Sequence, residues 1–414
     1  MTDLQAAAPY QPAATDHKPA LPLTEFVALM AVLMATVAFS TDAMLPAFPE
    51  ISAELSPSSP NRAQLIVAFF LLGLGVGTIF TGPMSDAWGR KPVILGGAVV
   101  YIAGAMICWQ AGSLEIMLGG RILQGVGGAA GRTVCMAIVR DLYSGRRMSQ
   151  ISSLIMMIFS IVPAMAPTFG AQVIDLAGWR AIFVAFAFVS TIGATWFWLR
   201  QPETLPTARR TPLRPGSLMV NTRYVLSMRV VIVAIIVQVL TYGTLFSMIS
   251  SVLQIFDITY GRGEHFHFWF AGVALLAASS GFLNAKLVNH LGMRFMINAM
   301  LVAQITLSSL AALLLWGVGL TGTAGFVVFL VFTLGILFQN GLIAGNATAL
   351  AMEPVGHLAG LAASAMGAIS TILAVLIAIP VGQAFDGTPV PLILCSLTCA
   401  GLSFGTMRFL PQRD

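Results

Sequence analysis

The sequence predicts an all-α membrane protein of twelve transmembrane helices in two six-helix bundles. Composition, the spacing of apolar runs and an internal repeat carry that prediction. Of 414 residues, 57% are hydrophobic and 9% charged, whereas soluble domains carry roughly 25% charged residues. A globule so poor in charge cannot hide its apolar surface from water, which excludes a cytosolic or secreted enzyme. One span takes about 20 apolar residues. The apolar residues therefore furnish about twelve spans, with little left for a soluble domain. Cys108, Cys135, Cys395 and Cys399 all fall in apolar stretches, so four free thiols are expected and no metal site.

Residues 1–22 form a tail rich in Ala and Pro, without the basic start and small-residue cleavage site of a signal peptide. Apolar runs then recur at 23–46, 62–82, 92–111, 116–138, 150–174 and 179–200. Residues 201–228 hold Pro202, Pro206, Pro212 and Pro215 with Arg209, Arg210, Arg214 and Arg223. That composition forbids a span and marks a linker. Six further runs lie at 229–252, 267–288, 293–317, 323–348, 357–382 and 390–409. The expected organisation is a tail (1–22), an N-terminal bundle (23–200), the linker (201–228), a C-terminal bundle (229–409) and a short tail (410–414).

Lys and Arg are retained on the cytoplasmic side of short loops. With both termini cytoplasmic, that side collects 16 of the 21 basic residues and the opposite side only Arg62, Arg180 and Arg262. The acids divide almost evenly, as expected when only positive charge is sorted. The net charge of +5 thus reports topology and no nucleic-acid partner.

Three charged residues remain inside spans: Asp42 in the first, Arg121 and Arg132 in the fourth. Ionisable groups in hydrocarbon cost several kcal/mol, so they face cavities, pair with one another and mark substrate or proton paths. A purely structural buried pair is the alternative. At 1.5 Å per residue, Asp42 and Arg121 fall at similar depth near the outer surface, about 6 to 8 Å below it, which favours pairing. Eleven steps of 100° bring Arg132 within about 20° of the face of Arg121.

After the second span, GPMSDAWGRKPVI (82–94) compresses Gly82, Asp86, Gly89, Arg90 and Lys91 into a short loop. The glycines permit a tight turn, Asp86 is placed to accept from a helix N-terminus, and Arg90 and Lys91 read as cytoplasmic anchors. Ala285, Asn289, Gly292 and Arg294 repeat Gly82, Asp86, Gly89 and Lys91 at a constant offset of 203 (292 minus 89). Two halves related by duplication follow.

These residues resemble the signature loop of the major facilitator superfamily, and the resemblance covers essentially the whole chain. Within it the sequence is most similar to the drug:proton antiporters of the bicyclomycin and chloramphenicol resistance (Bcr/CflA) family. STDAMLPAFPEI (40–51) resembles that family's first-span signature; RILQGVGGAAG (121–131) and VRDLY (139–143) resemble its fourth-span motif. APTFGA (166–171) resembles the antiporter motif of the fifth span with Ala in place of Gly at both ends; Pro163, Pro167 and Gly170 would still bend that helix. Arg132 lies outside the family pattern.

The resemblance implies a two-bundle transporter rocking between states, driven by the proton gradient and needing no other cofactor, with Asp42 as proton carrier and Arg121 setting its proton affinity. The residues agree: desolvation pushes a carboxyl toward its neutral form and a guanidinium pushes it back, which makes a switchable acid. Asp141 beside Arg140 is expected to complete a charge cluster with Arg90 and, with Gly82, Asp86, Gly89 and Lys91, to form a conformational switch that locks one state through loop contacts rather than touching substrate. Asp86 is expected to reach span eleven near His357 to Gly360.

Polar residues stranded in spans supply the candidate pocket: Gln124, Arg132, Gln238, Tyr242, Gln339 and Asn340. Gln238 and Tyr242 share a helix face, and some of the set are expected to be interhelical hydrogen bonds. Gly73 with Gly77, and Gly127 with Gly131, have the spacing of close helix packing. His265 and His267 read as interfacial histidines. No Walker loop, HExxH or Ser-His-Asp arrangement is present.

The leading expectation is a monomeric multi-pass protein of the inner membrane that exports small amphipathic drugs in exchange for protons. The competing reading in the same fold is proton-linked transport of an organic anion on Arg121 and Arg132. A membrane sensor without transport would leave Asp42 without a task.

Overall fold

A computed structural model describes residues 21–213, 215–355 and 359–410. Among these residues twelve helices are long and apolar enough to cross a membrane. In the first half they are α1 (Leu23–Asp42), α2 (Leu65–Trp88), α3 (Arg90–Trp109), α4 (Leu114–Leu142), α5 (Gly145–Ala177) and α6 (Arg180–Arg200). In the second they are α7 (Arg229–Gln254), α8 (Phe266–Leu291), α9 (Met293–Ala311), α10 (Gly322–Met352), α11 (Ala359–Gln383) and α12 (Val390–Met407). The linker is not bare coil: it holds a short helix, Pro215–Ser227.

Helix ends follow local chemistry. The first apolar run reaches residue 46, yet α1 stops at Asp42. Pro46 has no N–H for the Asp42 carbonyl, so the chain tightens into a 3₁₀ turn over Leu45–Ala47 and then the short helix Phe48–Leu55. Asp42 therefore sits at a break, not four residues inside a helix. Gly89 (φ 108°) separates α2 from α3, and Gly292 (φ 78°) separates α8 from α9. Both need the left-handed region that glycine enters without a Cβ clash. Trp88 and Leu291 end the preceding helices and Arg90 and Met293 begin the following ones, so the repeat seen in the sequence is a repeat of helix boundaries.

Within the first half α4 packs closely on α2 and α3. A Cβ on Gly125 would lie 2.0 Å from the Phe70 carbonyl oxygen, and one on Gly73 2.1 Å from that of Ile122. Small residues are what allow backbones to approach this far in a membrane. Helix α1 packs against α4, α5 and α6; in the second half α7 packs against α10, α11 and α12. The halves meet along α2 with α11 and α5 with α8.

The face bearing the linker, here the linker face, differs from the opposite, far face. At the far face one apolar core runs through both halves, joining Phe48, Phe70 and Phe183 to Phe256, Phe266 and Phe326. Toward the linker face it divides. One cluster around Met30, Val134 and Ile138 belongs to the first half, and another around Val237, Ile297 and Ile343 belongs to the second. The two halves share an interior at one end and keep separate interiors at the other.

Candidate functional site

Asp42 is 4% exposed at the end of α1. Arg121, on α4, is wholly buried. The ion pair expected between them does not form. Arg121 donates instead to the carbonyls of Ser40 (2.9 Å) and Ile66 (3.1 Å) and to Oε1 of Gln124 (2.6 Å), and its guanidinium lies 4.3 Å from the centre of the Phe70 ring. A fork of fixed N–H donors suits such a three-way clamp. The clamp ties α4 to α1 and α2 two residues before Asp42. Among the described residues no ion pair involves Asp42.

Tyr101, which the sequence reading passed over, completes the clamp. Its hydroxyl is hydrogen-bonded to Oγ of Ser40, the residue whose carbonyl Arg121 holds. A lone tyrosine in an apolar run carried no motif; the hint was only that a buried Tyr hydroxyl needs a partner.

Helix α5 reaches the same place. Pro163 and Pro167 lie inside it and each removes one backbone hydrogen bond. Gly170 lies against the residue after Asp42: a Cβ there would come within 1.8 Å of the Ala43 carbonyl oxygen. The break in α1 is thus held by a helix whose own backbone is loosened. Gly170→Ala is expected to destabilise the protein by about 1–3 kcal/mol, read as a lower melting temperature in detergent; an unchanged melting temperature would mean the contact relaxes at no cost.

A seal closes the far face. Nδ2 of Asn61 donates to the carbonyls of Phe385 (2.8 Å) and Gln383 (3.2 Å), and Nε2 of Gln383 donates back to the Asn61 carbonyl at 2.8 Å. Gln64 and Gln254 are hydrogen-bonded across the same boundary. These bonds join the start of α2 to the ends of α7 and α11. Sequence reasoning gave Asn61, Gln64 and Gln383 no role because amides at span ends look like ordinary loop residues; only Gln254 stood out there, as a polar residue stranded in a span.

At the linker face Arg90 is not a solvated anchor. It is 4% exposed, and it donates to Asp141 (2.8 Å), to Oγ of Ser85 (2.8 Å) and to Asp86. Lys91 reaches the Trp198 carbonyl on α6 at 2.7 Å. The acid that receives a helix N-terminus is Glu203, not Asp86: its carboxylate accepts the backbone N–H groups of Arg90 (2.9 Å) and Lys91 (3.1 Å). These are orphan donors of α3, and a carboxylate there is favoured by the helix dipole as well. The linker is thereby fastened to the loop between α2 and α3, with Thr204 adding a bond to Asp141 at 3.2 Å. Gly82 faces Ser364 on α11, and Arg140 lies against Gly360. His357 lies outside the described residues, as do the N-terminal tail to residue 20 and residues 411–414.

The proposed pocket residues divide. Gln238 is a correction: Nε2 donates to Thr348 (2.7 Å) and to the Ala344 carbonyl (3.2 Å), and Oε1 accepts from Ser370 (3.2 Å). Both polar atoms of this side chain are engaged in joining α7 to α10 and α11. Gln124 gives its oxygen to Arg121. Tyr242 is stacked on Phe246 at 5.7 Å. Oε1 of Gln339 and Oδ1 of Asn340 are buried without a donor among the described residues. Arg132 is half-buried.

Comparison with known proteins agrees with this architecture. The Major Facilitator Superfamily profile matches residues 30–408. A bicyclomycin resistance protein homolog of Haemophilus influenzae is 27% identical over 396 residues, covering 94% of this chain and 96% of that one. A chloramphenicol resistance protein of Pseudomonas aeruginosa is 38% identical over 167 residues, 39% of each chain. Among solved structures, the D-xylose-proton symporter superposes with a TM-score of 0.72 at 13% identity, over 93% of this chain and 98% of that one. The human organic anion transporter MFSD10 superposes with a TM-score of 0.69 at 17% identity, over 94% and 99%. With its twelve spans, its duplicated halves and a profile match over nearly its whole length, the chain belongs to the major facilitator superfamily of membrane transporters.

Proposed function

We propose that this transporter exports small amphipathic drugs across the bacterial inner membrane in exchange for protons, by alternating access, with Asp42 as the proton carrier. The position of Asp42 carries the reading. It is the one buried acid among the described residues, it sits at the break in α1, and it lies between the far-face seal and the divided linker-face half. The resistance proteins named above support drug as the cargo.

The asymmetry of the core supports the cycle. With both termini cytoplasmic, as the basic residues indicate, the divided end faces the cytoplasm and the sealed end faces outward. Drug enters between the separate interiors. Parting Asn61 from Gln383 and Gln64 from Gln254 opens the outer end, while α1 and α5 shift at Ala43 and Gly170. Asp42 then gains its proton from outside and loses it inside. Asp86, Arg90, Asp141 and Glu203 hold the linker-face ends of α2, α3 and α4 together, so the first bundle moves as a body. Inverted vesicles carrying the protein test the reading. Once acidified by respiration, they should release protons when chloramphenicol is added, read as recovery of acridine fluorescence. No recovery with any member of an antibiotic panel overturns it.

A further inference from the structure

Arg132 is the span cation whose charge no described residue answers. Among the described residues it has no ion pair, hydrogen bond or ring contact. The two buried arginines are saturated: Arg121 by two carbonyls, Gln124 and Phe70, and Arg90 by Asp86, Asp141 and Ser85. A guanidinium within a span costs several kcal/mol unless it faces water or a partner, and partial exposure places Arg132 on such a boundary.

Its neighbours say which boundary. Gly131 packs on the Leu33 carbonyl of α1, where a Cβ would lie 2.7 Å away. Ala130, Val134 and Cys135 belong to the first half's separate cluster. Arg132 thus stands at the depth where the two interiors have parted. Asp42 lies nine residues beyond Leu33, about 13 Å farther along α1, out of reach of a salt bridge. Apart from Arg90, which Asp86 and Asp141 neutralise at the linker face, the interior of the spans among the described residues carries two cations, Arg121 and Arg132, against one acid, or against none once Asp42 is protonated. In either state it repels a cation and attracts an anion.

We infer that Arg132 anchors an acidic group on the cargo, so that the transporter prefers amphipathic organic anions: a carboxylate or sulfonate on an apolar body. This deepens the export reading and rests on it only for the existence of a cargo. Of the two arginines an anion could use, the clamp on Ser40 and Ile66 removes Arg121 and leaves Arg132.

The test uses three probes of one shape and three charges: 1-naphthalenesulfonate, 1-naphthalenesulfonamide and 1-naphthylmethylammonium. Equilibrium binding is measured on the whole protein in nanodiscs of phosphatidylcholine, whose net charge is zero. The sulfonate should bind about tenfold or more tightly than the sulfonamide, and the ammonium most weakly. Arg132→Gln should bring the sulfonate to the level of the sulfonamide. Arg132→Lys, which keeps the charge without the fork, should retain part of the preference. Equal binding of the three by the wild type, no sulfonate binding up to millimolar concentration, tightest binding of the ammonium, or an undiminished preference in Arg132→Gln would each overturn the proposal. Should Arg132→Gln fail to fold, the wild-type ratio and Arg132→Lys decide it. Asp42→Asn keeps the two readings apart. It should lose proton exchange and keep the sulfonate preference, so full proton exchange in Asp42→Asn sinks the carrier assignment alone.

Discussion

Asp42→Asn is expected to abolish proton-coupled transport while leaving the protein folded in the membrane. Asn matches Asp in size and hydrogen-bonding reach but binds no proton, so the substitution removes the chemistry and little else. No ion pair at Asp42 among the described residues is lost, so the usual penalty for stripping a buried charge of its partner does not arise. In inverted vesicles the variant should show no proton release on addition of drug, yet bind drug and exchange it passively across the membrane. Expression and melting temperature should stay close to wild type. Proton release equal to wild type at every pH would show that another group carries the proton.

Arg121→Ala is expected to cost both stability and transport. It deletes three hydrogen bonds from a charged donor and leaves a cavity beside Phe70, in a side chain with no exposure. The loss should be about 2–5 kcal/mol, and transport should fall at least about tenfold, because the end of α1 is no longer tied to α4 at Ser40. Arg121→Lys should restore the charge but not the clamp, since one ammonium cannot span Ser40, Ile66 and Gln124. Melting temperature in detergent and uptake into inverted vesicles are the two measurements. A wild-type value of both in Arg121→Ala would reduce the clamp to a bystander.

Much of the fold was legible because lipid imposes its constraint locally. Each span must be about 20 apolar residues whatever its neighbours do, so twelve runs translated directly into twelve helices. The offset relating Gly89 to Gly292 was readable for a similar reason: a left-handed turn is a property of the residue itself. Corrections came where a partner lay far along the chain. The cluster of Arg90 with Asp141, 51 positions on, was expected, but nothing near Arg90 in sequence announces that it would be buried there rather than solvated. Glu203 looked like a linker acid until folding brought it to the N-terminus of α3. The expected pairing of Asp42 with Arg121 rested on depth alone, and depth says nothing of direction around a helix axis.

The chain's letters by themselves determined membrane residence, the number and rough limits of the spans, the duplicated plan and which few ionisable groups lie in hydrocarbon. Hydrophobic length, charge sorting and proline or glycine at a turn act over a few residues, and so they can be read in order. Only the tertiary structure decided which span arginine is satisfied and which has no partner among the described residues, which end of the two halves is joined, and that Gly170 presses on the residue after Asp42. Each of those is a contact between helices distant in the chain, made by packing at atomic distances that no one segment specifies.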